Sequence, residues 1–128
     1  MRLLLDTHAL LWWFTADRQL SARAQAAIAD ETNTVHVSAA TAWEIATKQR
    51  LGKLDEVPHA AEQFAELVAA DGFLHLPVSY RHGLRAGGYV LAHRDPFDRM
   101  LAAQSELESM VLVTRDPAFA AFQVVTLW

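Results

Sequence analysis

The sequence predicts an α/β domain built on a mainly parallel sheet. Short apolar segments alternate along the whole chain with longer segments of helical periodicity, the pattern of repeated β-α units. Met110-Val-Leu-Val113 is apolar without a break, as suits a strand covered on both faces. The 128 residues are enough for one domain with its own core, and no linker, repeat or low-complexity tract divides residues 1–128.

Arg2–Leu5 reads as a strand ending at Asp6, and Thr7–Ala16 as a helix with Leu10, Leu11, Trp13 and Phe14 on its apolar side. Ser21 caps a second helix reaching about Asp30, with Leu20, Ala24, Ala27 and Ile28 spaced for burial. Thr34–Ser38 is short and β-branched, hence a strand. Thr41 opens a helix to about Arg50, with Gly52 as its stop. Pro58 begins another, carrying Ala61, Phe64, Ala65 and Val68 on one face and ending at Asp71-Gly72. Phe73–Val78 is a short strand that Pro77 restricts to an edge or a strand end. Ser79 caps a small helix that finishes at Gly87-Gly88. Asp95 then caps a helix to about Glu108, with Pro96 at its first position, Asp98 in its first turn and Phe97, Met100, Leu101 and Leu107 as its apolar stripe. Met110–Thr114 is a strand, Asp116-Pro117 starts a short helix, and Val124–Leu127 is the last strand.

Composition narrows the chemistry. The formal charge is −4, which argues against binding nucleic acid through bulk positive charge but leaves room for a local basic rim. There is no cysteine, so disulfides, thiolate metal sites and cysteine nucleophiles are excluded, in keeping with a cytoplasmic protein. The longest apolar run, Ala9–Phe14, is far short of the roughly 20 residues of a membrane span, so no membrane association is expected. Arg2 and Leu3–Leu5 imitate the start of a signal peptide, but Asp6 and His8 interrupt it.

Four carboxylates fall at equivalent places. Asp6 follows the first strand, Glu44 sits in the first turn of the helix after the second, Asp98 opens the Asp95–Glu108 helix, and Asp116 follows the Met110–Thr114 strand. In a parallel sheet, strand C-termini and helix N-termini share one edge, where ligands bind. Each acid also has a plain structural use: Asp6 and Asp116 as caps, Glu44 as the partner of Thr41 in a capping box, Asp98 as a complement to the helix dipole. Together they point further. Two carboxylates about 4 Å apart repel by about 4 kcal/mol at an effective dielectric of 20, so a cluster either protonates or takes a cation. Oxygen ligands select magnesium or manganese, the ions of phosphoryl chemistry.

Competing chemistry is poorly represented. There is no glycine-rich phosphate loop, no Gly-x-Ser-x-Gly elbow and no His-Glu-x-x-His pair. His8 and His93 lie near the acids in sequence, although lone histidines usually serve local structure. Trp12 and Trp13 could stack bases, but adjacent tryptophans more often mark core and a protein interface, which is the expectation here.

Leu-Leu-Leu-Asp6-Thr-His-Ala-Leu-Leu-Trp-Trp, Ser38-Ala-Ala-Thr-Ala-Trp-Glu44-Ile-Ala-Thr-Lys, His-Arg-Asp-Pro-Phe-Asp98-Arg-Met-Leu-Ala-Ala-Gln and Leu-Val-Thr114-Arg-Asp116 together resemble, in order and along the whole chain, the PIN-domain family, and within it the VapC-type toxins of type II toxin–antitoxin pairs. The resemblance implies a three-layer α/β/α fold with a five-stranded parallel sheet and endoribonuclease activity dependent on Mg2+ or Mn2+. It implies that Asp6, Glu44, Asp98 and Asp116 are the catalytic and metal-binding acids, with Thr114 at the family's small polar position and Asp95 as a cap and peripheral helper. It further implies a homodimer and a cognate antitoxin that blocks the acidic groove. Arg99, Arg115 and Lys48 are candidates to contact RNA phosphates, the two arginines being equally suited to pairing with nearby acids.

Two other readings carry less. A phosphotransfer receiver needs an acidic pair after its first strand and a late lysine, yet Asp6 stands alone and no lysine follows Lys53; a haloacid-dehalogenase-like phosphatase needs an aspartate where His8 stands. A non-catalytic protein-binding module would use all four acids as caps.

Overall fold

The computed structural model describes residues 1–128. Five strands form one sheet: β1 (Arg2–Leu5), β2 (Thr34–Ser38), β3 (Leu74–Leu76), β4 (Val111–Val113) and β5 (Thr126–Leu127). Their order is β3-β2-β1-β4-β5, and every neighbouring pair is parallel. The chain lays down β1, β2 and β3 in one direction, then returns past β1 to add β4 and β5. The strand order therefore reverses between β1 and β4, and the crevice beyond the carboxyl ends of those two strands is where an open α/β sheet binds its ligand.

Six helices cover the sheet: α1 (Thr7–Phe14), α2 (Ala22–Ala29), α3 (Ala39–Arg50), α4 (Phe64–Ala70), α5 (Tyr80–Gly88) and α6 (Pro96–Glu108); a single 3-10 turn spans Pro117–Ala121. Because successive strand residues point to opposite faces, Leu3 and Leu5 enter one core and Leu4 the other. The first core joins them to Leu10, Ile28, Val35, Val37, Ile45, Val68 and Val113. The second packs Leu4 and Leu112 against Leu101, Ala102, Met110, Phe119 and Phe122. The result is the three-layer α/β/α arrangement with a five-stranded parallel sheet. No helix is long and apolar enough to cross a membrane.

Two helices begin elsewhere than the sequence pattern suggests. The third helix opens at Ala39, not Thr41, because Ser38 ends β2 and caps α3 at once, its Oγ accepting from the Ala40 N–H at 3.0 Å. Glu44 consequently sits beyond the first turn, and the expected Thr41–Glu44 capping box does not form. The helix expected from Pro58 starts at Phe64. Residues 54–63 instead make successive turns, pinned to α3 by Gln49, whose side chain accepts from the Ala61 N–H and donates to Glu62. Elsewhere the boundaries move by a residue or two. Gly52, with φ +71°, follows the α3 C-cap Leu51 in the left-handed conformation that glycine adopts at little cost. β3 is an edge strand that ends before Pro77, as that proline requires.

Candidate metal centre

Asp6 leaves the end of β1 and is 6% exposed. Its backbone N–H donates to the Val113 carbonyl of β4, which fixes it at the strand-order reversal. Its Oδ2 accepts from the Thr114 hydroxyl at 2.7 Å, and the same Thr114 Oγ1 accepts from the Asp116 N–H at 3.0 Å. Thr114 thus links the acids that follow β1 and β4. Burial pushes the Asp6 carboxyl above its ordinary range; the Thr114 bond and His8 work against that shift, and the charge of Glu44 adds to it.

Glu44 reaches the same region from α3 and is also buried. Its Oε1 accepts from Thr7 Oγ1 at 2.5 Å, and its Oε2 is 2.5 Å from Lys48 Nζ, one helical turn on. Lys48 is therefore committed to Glu44 rather than presented as a free phosphate contact. Asp98 stands in the first turn of α6, which Asp95 caps by accepting from the N–H groups of Phe97 and Asp98. The Asp98 side chain is 15% exposed, and its Oδ2 takes the Nε2 of His93 at 3.0 Å. Burial, then the charges of Asp95 and Asp6, raise its pKa to about 6 against the pull of His93. Asp116 is exposed at the rim, where its Oδ1 caps the 3-10 turn at Ala118 and it shares one cleft with Asp6.

The four acids accordingly surround the end of β1, with Asp6 innermost. No three Asp, Glu or His side chains stand close enough to grip one cation directly. Each outer acid instead rests on a protein partner: Glu44 on Thr7 and Lys48, Asp98 on His93, Asp116 on its own helical turn. Such a set of oxygen donors could hold a hard divalent ion only if that ion kept several of its waters. Burial first, and neighbouring negative charge after it, raises the pKa values of Asp6 and Asp98, and a cation placed among them would favour their charged forms.

Neither Arg99 nor Arg115 pairs with these acids, although Arg115 lines the cleft that holds Asp6 and Asp116. Arg99 turns into the protein, donating to the carbonyls of Ala86, Gly87, Tyr89, Leu91 and His93. That role replaces the expected phosphate contact, since the guanidinium ties the end of α5 to the segment leading into α6. Arg115 pairs with no acid; it lies 4.4 Å over the Trp12 ring and donates to Gln19. The two adjacent tryptophans also separate. Trp13 packs on Phe73 and donates to Asp71, whereas Trp12 faces the Asp6 cleft. Thr7 and His93 hold acids in place; His93 is visible in the sequence as a histidine near the acids, whereas Thr7 is not. The only signal for Thr7 is its position directly after Asp6.

A family model described as PIN domain matches residues 3–124. The chain belongs to the PIN domain family. Members of this family are generally nucleases and typically use divalent metal ions. A comparison with curated proteins finds no match. Among solved structures, this PIN domain is similar to VapBC2 from Rickettsia felis bound to a DNA fragment from their promoter, at 13% identity and a TM-score of 0.66, covering 99% of this chain and 98% of that one. It is also similar to FitAcB from Neisseria gonorrhoeae, at 23% identity and a TM-score of 0.61, covering 98% and 96%, and to a domain of a functionally unknown protein from Methanocaldococcus jannaschii, at 14% identity and a TM-score of 0.58, covering 99% and 89%. At these identities the likeness establishes a shared fold.

Proposed function

We propose that this PIN domain, residues 1–128 acting as one unit, is a cytoplasmic endoribonuclease that cleaves single-stranded RNA with Mg2+ or Mn2+. It would serve as the toxin of a toxin–antitoxin pair, working as a homodimer restrained by a cognate antitoxin. One observation carries the reading: a buried aspartate, Asp6, at the reversal of the strand order, with Glu44, Asp98 and Asp116 around it. The toxin role draws on the fold shared with VapBC2 and FitAcB and on the sequence motifs.

In this reading Asp6 and Asp98 hold the ion, and Glu44 and Asp116 complete its surroundings directly or through water. The ion supplies an acidified water and charge neutralisation at the scissile phosphodiester. The chain supplies position. Thr114 fixes the Asp6 rotamer by donating to Oδ2, Thr7 and Lys48 hold Glu44, and His93 steadies Asp98. Lys48 also balances one negative charge of the group, so the approach of an anionic backbone meets less repulsion.

Incubation of the purified protein with end-labelled single-stranded RNA tests this. Cleavage is expected with manganese or magnesium, none in EDTA, and none with Asp6→Asn or Asp98→Asn despite unchanged circular dichroism. Full activity in both variants overturns the assignment. Calorimetric titration with manganese separates the enzyme from a non-catalytic module: absence of heat at millimolar metal favours the latter.

A further inference from the structure

The cleft that contains Asp6 and Asp116 is not walled by acids alone. It encloses about 460 Å³, and its other side is built from His8, Trp12, Gln19, Arg115 and Trp128. Trp12 is half-buried on α1, with its ring 5.5 Å from His8 and 5.9 Å, edge-on, from Trp128. The Arg115 guanidinium lies along the Trp12 ring and is itself exposed, so one face is covered by indole and the other is open. Gln19 accepts from Arg115 through Oε1, which leaves its amide N–H groups and the remaining N–H groups of Arg115 as donors at the cleft edge.

Trp12 and Trp128 rest on the first core from one side, but the side they turn to the cleft is not core. A buried tryptophan cluster would exclude Arg115, Gln19 and Asp116, all of which are exposed. The volume falls in the range of small-ligand pockets, where planar apolar walls and a few polar groups fix one occupant. Planar walls of indole and guanidinium, with hydrogen-bond donors at the edge, match an unstacked nucleobase; single-stranded RNA is held in this way, by stacking on aromatic side chains or arginine planes and by hydrogen bonds to the base edge.

We propose that this cleft is a nucleobase pocket for the nucleotide beside the cleaved bond. The base stacks on the open face of the Arg115 guanidinium, which Trp12 backs, while the backbone passes the Asp6 and Asp116 rim. The proposal rests on the nuclease reading and adds to it a place where the substrate is gripped independently of the acids.

The test is a binding cycle, read by fluorescence anisotropy on a labelled 12-nucleotide single-stranded RNA in calcium buffer, with the RNA checked for integrity on a gel. The RNA is used intact and with one abasic unit moved along it. Trp12→Leu is expected to weaken binding of intact RNA about 10-fold, and Trp12→Phe by less than about threefold, since stacking is retained. One abasic position should reproduce the loss in the wild type and cost nothing further in Trp12→Leu. Arg115→Gln, a change at an exposed side chain, should show the same coupling even if Trp12→Leu misfolds. Wild-type binding in which variant and abasic losses simply add overturns the pocket and leaves the nuclease reading standing. The same holds if Trp12→Leu shows no coupling and converts a dimer to a monomer on gel filtration, because a protein contact then covers the wall. Failure of the wild type to bind RNA at all removes both.

Discussion

Among single residues, Thr114 and Asp98 make opposite contributions to stability. Thr114 donates to a buried carboxylate, and a buried acceptor that loses its partner costs about 1–3 kcal/mol. Thr114→Val keeps the shape and removes the donor, so a lower urea midpoint by that amount is expected. Asp98 works the other way. Its folded pKa, about 6, lies above the ordinary 3.8. The folded state therefore binds more protons than the unfolded state between these values, and the contribution of Asp98 to stability falls as pH rises through that window. Above about pH 6 its charge is a standing cost in the metal-free protein. Asp98→Asn should accordingly raise the melting temperature in EDTA at pH 7.5 and narrow the difference between pH 7.5 and pH 5, as differential scanning calorimetry would show. Added manganese should stabilise the wild type and leave Asp98→Asn nearly unmoved, since only a protein that binds the ion gains from it.

Across the helices and strands, the caps were legible and the tertiary commitments were not. Asp95-Pro96 announced α6, because a side chain that accepts from its own following amides needs nothing beyond local sequence. Thr41-x-x-Glu44 looked equally local, yet Ser38 started the helix sooner and Glu44 took Thr7 and Lys48 instead. The Pro58 segment reads as helix by pattern, and it is Gln49, nine residues earlier, that holds it in turns. Arg99 carries no mark in sequence of the five carbonyls it serves, since these belong to the end of α5 and the segment after it. Arg99→Met should speed amide exchange across residues 86–94 while leaving the sheet protected, as hydrogen–deuterium exchange would report. At the end of α6, Ser109 has φ 54°. A side chain in that conformation costs about 1–2 kcal/mol that glycine avoids, so Ser109→Gly should raise the urea midpoint by part of that amount.

For the molecule as a whole, the parallel order β3-β2-β1-β4-β5 places β1 at the centre and gathers the loops after β1 and β4 on one edge. That much of the site was legible as an edge rich in acids. Which acids touch which partners was not, because it depends on how α3 and α6 pack across the end of the sheet. A truncation should be felt according to position in this order. Leu4→Ala, in the central strand, is expected to cost about 2–5 kcal/mol, whereas Leu74→Ala on the exposed edge strand should change the urea midpoint little. Inside the sandwich, Ser38 at the head of α3 donates to Gln104 of α6 at 2.5 Å, and both side chains are shielded from solvent. Those two helices carry Glu44 and Asp98, so this buried polar bolt, together with the Trp43–Phe97 ring contact at 4.6 Å, sets the gap between two acid-bearing arms. Loosening the bolt through Gln104→Leu would skew the jaws without altering any of the four acids, and activity would report the slack of a buried joint that carries no charge of its own.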